Sequence, residues 1–170
     1  MLKLMGALFL LCGCAVIGLL QVKNMDKRVG TIRSLLCALE VMGRELSFRI
    51  PLLEEMLSVA ANSVQEPTRS FLMVCRNHLK RNTDAPFSRI WNNAAKEKLV
   101  SLKKQDLDPV YSLGEILGRY DYEDQRQAIR QTCVILENVL SDAMLERKSR
   151  GRVYKILSTT IGAFLVILLL

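Results

Sequence analysis

The chain has 170 residues, half of them apolar, and a formal net charge of +7. This length predicts a single domain. The charge pattern argues against nucleic acid as a partner, because segment 34–145 holds 14 basic and 15 acidic residues and the basic excess lies outside it. That excess lies beside two apolar runs at the chain ends, 4–22 and 156–170, which contain no charged residue.

The first apolar run predicts a transmembrane helix over residues 2–22. A hydrocarbon core about 30 Å thick needs roughly 20 apolar residues in a helix. Between residues 4 and 22 the only polar side chain is that of Gln21. Basic residues follow directly, as they do after a stop-transfer segment.

Two other interpretations of this run stay open. A cleaved signal peptide is disfavoured, because the run continues without an A-x-A-type cleavage site. The stretch Leu11–Cys14 looks like a lipoprotein cleavage site, with Cys14 as the lipidated residue. In that alternative the protein is an exported, membrane-tethered interaction or signalling domain. Six further apolar residues before Gln21 argue against it.

Residues 23–152 predict a soluble helical domain. Apolar residues at three- and four-residue spacing run from Ile32 to Leu46, so the first span should continue as one long helix to about Phe48. Four shorter helices are expected after it, most of them with a proline in the first turn. Their expected starts are Pro51, Pro67, Phe87 and, with Asp106 and Asp108 as a cap, Pro109.

A last long helix is expected from Asp121 onward, with Asp121 as its N-cap. Its apolar stripe runs through Ile129, Cys133 and Leu136 to Met144, and nothing stops it before the second apolar run. It should cover about 50 residues and end in a second transmembrane helix over 153–170. The predicted fold is an all-α antiparallel bundle of about six helices, whose first and last helices extend into the two spans.

Cysteine and charge patterns both point to a cytoplasmic domain. Cys37, Cys75 and Cys133 lie on apolar helical faces and are expected to be buried free thiols. Both basic clusters lie on the inner sides of the spans, and cytoplasmic loops carry the excess of Lys and Arg. The residues assigned to the membrane surface are Lys23, Lys27, Arg28, Arg147, Lys148, Arg150 and Arg152.

The residues do not indicate an enzyme. His78 is the only histidine, and it lies on the apolar side of its predicted helix, where packing is favoured over general-base chemistry. Motifs typical of nucleotide-binding loops, serine hydrolases and zinc peptidases are absent from the sequence. We therefore expect no catalytic, cofactor or metal site.

Acidic residues gather around the bend near Pro51. They are Glu40, Glu45, Glu54 and Glu55. Two interpretations stay open: a solvated helix face in which the acids favour the helix starts, and a docking patch for a basic partner surface.

The stretch 113–121 contains two glycines four residues apart, each costing about 1 kcal/mol relative to alanine inside a helix. This cost predicts a close helix approach at Gly114 and a C-terminal turn at Gly118. Arg119 and Asp121 complete the turn.

These residues resemble the stage III sporulation protein AB family of endospore-forming bacteria. The likeness rests on Met1–Leu4 before an apolar run, on 35–45 leading to Ile50–Leu52, on Leu-Gly-x-x-Leu-Gly-Arg-x-Asp at 113–121 with Gln125, and on the terminal apolar run. Length and order agree over essentially the whole chain. Tyr120 departs from the family pattern, which has a small polar residue there.

The resemblance implies a component of the channel between mother cell and forespore, required for sporulation and located in the mother-cell membrane facing the forespore. The family is similar to the inner-membrane platform F-protein of type II secretion and type IV pilus machines. By that analogy the soluble domain docks a cytoplasmic ring ATPase, stage III sporulation protein AA. The expected partners are the membrane and sporulation-channel proteins, without nucleic acid; a homo-oligomer stays open.

Overall fold

The computed structural model describes residues 2–48, 51–81 and 85–169, and side chains over 19–151 within those ranges together with Val16, Val153 and Thr160. In this part of the chain the secondary structure is helical throughout. The helices are α1 Leu2–Phe48, α2 Leu53–Asn62, α3 Thr68–Lys80, α4 Phe87–Lys98, α5 Lys104–Ile116 and α6 Tyr122–Leu169. The predicted all-α class, the number of helices and the two long terminal helices are confirmed.

The prediction of two transmembrane helices depends on the apolar chain ends. Among the residues that the structure describes, no helix is both long enough and apolar enough to cross a membrane. The predicted spans 2–22 and 153–170, and Cys14 of the lipoprotein alternative, fall mostly on side chains outside the described part. The two transmembrane spans therefore stay a prediction.

The chain divides into two compact units. Unit 1 comprises Met1–Val29 and Asp142–Leu170, and unit 2 comprises Gly30–Ser141. Unit 2 therefore contains all of α2 to α5, together with parts of α1 and α6. The predicted domain boundaries, after residues 22 and 152, fall within unit 1.

The core of unit 2 contains the predicted stripe of α1. Ile32 and Met42 are fully buried, and Leu35, Leu39 and Leu46 are nearly so. The stripe is buried because residues at three- and four-residue spacing share one face of a helix. From α6, Ile129 and Leu136 are buried as predicted.

Two side-chain predictions about the long helices are wrong. Cys37 is exposed, because it lies with Arg33, Glu40 and Arg44 on the strip of α1 opposite the core. On α6, Met144 is exposed to 39% of its surface, and the neighbouring small residue Ala143 is buried instead.

Helix α5 begins earlier than the sequence predicted. It starts at Lys104, so Pro109 lies inside the helix and not in its first turn. The N–H of Lys103 donates to Asp106 Oδ2 at 2.9 Å, and Asp106 is fully buried. The carboxylate at the third helical position thus fixes the start, as in one half of a capping box, and the predicted start at Asp108–Pro109 is wrong. The other short helices begin within two residues of their predicted starts.

Helices α4 and α5 meet closely at Gly114. A Cβ on Gly114 would lie 2.3 Å from Cδ1 of Trp91. Trp91 Nε1 donates to the Val110 carbonyl at 2.7 Å, and Phe71 of α3 packs edge-on against the indole at 4.6 Å. The indole therefore lies directly against the backbone of α5, where any side chain at position 114 would collide with it.

Replacing Gly114 with Ala should destabilise the protein, because a methyl group would overlap the buried indole. We expect Gly114→Ala to lower the free energy of unfolding by about 1–3 kcal/mol, the usual cost of overpacking a core. The measurement is urea unfolding of the full chain, followed by the fluorescence of Trp91.

Gly30→Ala is the matched control. Gly30 also lies within a helix, and a Cβ there meets nothing within 4 Å. It should raise the free energy of unfolding by up to about 1 kcal/mol through helix propensity alone. Equal effects of the two substitutions would show that the Trp91 contact does not control stability.

Candidate docking surface

The four acidic residues predicted to form one patch have different surroundings. Glu54 faces α3, with its Oε1 3.3 Å from Lys80 Nζ and 3.8 Å from Arg76 Nε. Glu55, the next residue, is exposed and forms no ion pair within the described residues. Glu45 is partly buried near the end of α1. The charge of Glu54 is therefore partly neutralised within the protein, whereas that of Glu55 is directed to solvent.

Glu40 lies on the exposed strip of α1 and close to α6. Burial raises the pKa of Cys133 to about 11, and the negative charges of Glu40 and then Glu137 add to the rise. Glu40 and Glu137 therefore both lie near Cys133, where α1 and α6 are neighbours.

The turn between α5 and α6 is fixed by side-chain hydrogen bonds. Gly118 lies just after the end of α5 and has a φ of +77, a left-handed conformation that favours glycine. The N–H of Asp124 donates to Asp121 Oδ1 at 2.9 Å, so Asp121 is the N-cap of α6. Gln125 accepts from the Gly118 N–H at 3.3 Å and donates to the Tyr120 carbonyl at 2.7 Å.

This turn lies against the start of α2. A Cβ on Gly118 would lie 3.0 Å from Cδ2 of Leu53, so the first residue of α2 and the α5–α6 turn are in contact. Large apolar side chains from both segments are exposed there. We name this set the apolar end of unit 2; it comprises Phe48, Leu52, Tyr120 and Tyr122.

Sequence patterns did not single out the apolar end. Phe48 and Leu52 flank a proline, and Tyr120 and Tyr122 flank an N-cap aspartate, so neither pair follows a helical period. The available signal was the presence of large apolar residues in turns, where polar residues usually predominate. Only the contact between the two turns shows that they belong together.

Three of the basic residues assigned to the membrane surface form ion pairs within unit 1. Arg28 Nη1 donates to Glu146 Oε2 at 2.7 Å, and Arg150 Nη1 donates to Glu146 Oε1 at 2.9 Å. Arg147 pairs with Asp26. Lys23, Lys27 and Lys148 are exposed, and the side chain of Arg152 lies outside the described residues. Two of these bases, Arg28 and Arg147, therefore link α1 to α6.

Titratable groups suited to chemistry are few in the described part. His78 lines an open cavity of about 200 Å³ between α3 and α4, with Arg89 and Glu97. Among the residues that the structure describes, no group of three His, Cys, Asp or Glu side chains comes together to hold a metal ion. The exposed acidic residues and the apolar end of unit 2 are the better candidate for a functional site.

Comparison with known proteins identifies the family. The family model described as "Stage III sporulation protein AB" matches residues 3–170. The chain belongs to this family. Stage III sporulation protein AB of Bacillus subtilis (strain 168) is 26% identical over 172 residues and the match covers all of both chains. The chain therefore has a role in sporulation.

A solved structure shows the same fold. A chain titled "Stage III sporulation protein AB" superposes with a TM-score of 0.64 at 22% identity, and the match covers 72% of this chain and 98% of that one. The family resemblance, which was based on several segments along the chain, is confirmed by the family model and the relative.

Removing the carboxylate that bridges two arginines should destabilise the pairing of α1 and α6. The side chains of Arg28 and Glu146 are only 9% and 21% exposed, so solvent screens their interaction weakly. We expect Glu146→Gln to lower the free energy of unfolding by about 1–2 kcal/mol in thermal or urea unfolding of the full chain.

Glu123→Gln provides the control. Glu123 pairs with Arg126 at 2.6 Å, but its side chain is 60% exposed. Such pairs contribute about 0–1 kcal/mol, so this change should be close to neutral. If Glu123→Gln lowered the free energy of unfolding as much as Glu146→Gln does, the structural role of the buried pair would be contradicted.

Thiol reactivity should separate the cysteines of unit 2. Burial raises the pKa of Cys75 to about 12 and the pKa of Cys133 to about 11. A raised pKa keeps a thiol protonated, so at pH 8 both buried thiols are almost entirely in the unreactive protonated form, Cys75 more so than Cys133. Exposed Cys37 should therefore be alkylated first and Cys75 last.

The experiment uses the full chain with Cys12→Ser and Cys14→Ser, treated with iodoacetamide and sampled by peptide mass spectrometry. Unfolding in urea should remove the differences, because all three thiols then face solvent. Fast labelling of Cys75 in the folded protein would contradict its position in the core.

Proposed function

We propose that this protein is a non-enzymatic membrane platform component of the sporulation channel between mother cell and forespore. Its helical domain docks the cytoplasmic ATPase of that assembly, stage III sporulation protein AA. Membership in the stage III sporulation protein AB family supports the setting. The similarity of that family to the platform F-protein of secretion machines, noted from the sequence, supports the role.

The terminal helices provide the anchor in this proposal. Residues 4–22 and 156–170 are uncharged and lie within α1 and α6. Exposed Lys23 and Lys148 follow and precede these runs, where basic side chains interact with anionic headgroups at about 1 kcal/mol each. The domain between the runs then faces the cytoplasm, and the chain ends lie at the anchor.

One observation carries the docking role: unit 2 presents exposed carboxylates within a basic protein. Glu55 is exposed in the first turn of α2, and Glu40 is exposed on α1. A basic surface on the ATPase would meet these charges without first breaking an ion pair of Glu55 inside the described part of the chain. Complementary charge of this kind raises the association rate and selects the partner.

Charge reversal at these positions should weaken binding of the ATPase. We expect Glu55→Lys and Glu40→Lys each to raise the Kd by about tenfold at low salt, because like charges would then face each other. The measurement is binding of purified stage III sporulation protein AA to the full chain in detergent, at low and high ionic strength. Glu54 is left unchanged, since a lysine there would also repel Arg76 and Lys80 and disturb the fold.

Glu97→Lys is the matched control. Glu97 is an exposed acid on α4 beside Lys98, so its reversal changes the net charge equally at another surface. If all three variants raised the Kd equally, the effect would come from net charge alone. Absence of binding by the unaltered chain would refute the docking role.

A further inference from the structure

One end of unit 2 exposes more large apolar surface than folding explains. Phe48 is 87% exposed, Leu52 74%, Tyr120 56% and Tyr122 48%. Single exposed apolar residues are ordinary, but several that gather at one place mark an interaction site. Here two separate turns contribute to the same end.

The start of α2 and the α5–α6 turn support each other. Leu53 packs against Gly118, and Gln125 joins the backbone of Gly118 to that of Tyr120. The neighbouring core residues Leu57 and Leu117 are fully buried. A backbone held in this way loses little conformational entropy on binding, which favours affinity.

Negative charge surrounds the apolar end. Segments 45–55 and 115–124 together hold seven acidic and two basic residues, and two of these acids form ion pairs with bases outside the segments, Glu54 with Lys80 and Glu123 with Arg126. Glu55, Glu115 and Asp121 are exposed. An apolar centre with a charged rim is the usual composition of a protein–protein interface, in which aromatic residues provide much of the binding energy.

We propose that the apolar end of unit 2 binds a protein surface that is apolar at its centre and basic at its rim. The proposal rests on the docking role argued above and assigns its main contact to Phe48, Leu52, Tyr120 and Tyr122. Charge selects the occupant: two copies of this end would repel each other, and an anionic lipid surface would be repelled as well.

The test replaces apolar side chains without changing charge. We expect Phe48→Ala/Leu52→Ala to raise the Kd for purified stage III sporulation protein AA by about tenfold or more, and Tyr120→Ser to raise it as well. The full chain in detergent is used. Phe48→Ala/Leu52→Ala should raise the Kd by the same factor at low and high salt, because the removed contact is apolar. The rise in Kd caused by Glu55→Lys should instead become smaller as the salt concentration increases.

Val100→Ala and Val134→Ala are the matched controls. Both valines are exposed apolar residues of unit 2, 78% and 55%, outside the apolar end. They should leave the Kd unchanged. All variants should keep the thermal midpoint of the unaltered chain, since the replaced side chains are exposed.

The outcomes separate this proposal from the docking role. Binding by the unaltered chain with an unchanged Kd for Phe48→Ala/Leu52→Ala overturns the apolar contact and leaves the docking role intact. No binding by the unaltered chain overturns both. If the double variant instead abolishes self-association in sedimentation without the ATPase, or binding to phosphatidylglycerol vesicles, the occupant is a second copy or a membrane, and the proposal is wrong.

Discussion

The contact between Trp91 and Gly114 is the constraint on which the short helices of unit 2 depend. The indole of α4 reaches the backbone of α5, donates to the Val110 carbonyl, and packs against Phe71 of α3. Because glycine lets the two helices approach, a buried donor is satisfied and a large apolar surface is removed from water in one place. Three helices are thereby fixed by one side chain.

The candidate surface follows from this packing. Once α5 is fixed, its C-terminal turn at Gly118 meets Leu53 at the start of α2, and Gln125 holds the turn that leads into α6. The exposed residues on either side of these contacts then share one end of the unit. The function proposed for the protein therefore depends on a turn whose geometry glycine permits and whose position the core determines.

The charges of the protein have two separate uses. In unit 1, Glu146 bridges Arg28 and Arg150, so acids and bases join α1 to α6. In unit 2, Glu54 is held by α3, while Glu55 beside it faces solvent. Net charge along the sequence does not distinguish these uses, because a carboxylate in an ion pair and one in water count equally. The partner-binding role is assigned to those that the fold leaves exposed.

The sequence by itself determined the helical class, the two long terminal helices, the N-cap at Asp121 and the family, because periodic apolar residues and local motifs encode these features over short distances. It misjudged the start of α5, since the buried carboxylate of Asp106 outweighs the usual preference for proline in the first turn. It also predicted a buried Cys37, which is exposed, because apolar neighbours along the sequence do not show which strip of α1 faces the core. Only the tertiary structure brought Leu53, at the start of α2, against the turn at Gly118, since a contact between residues about 65 positions apart leaves no periodic trace in either segment.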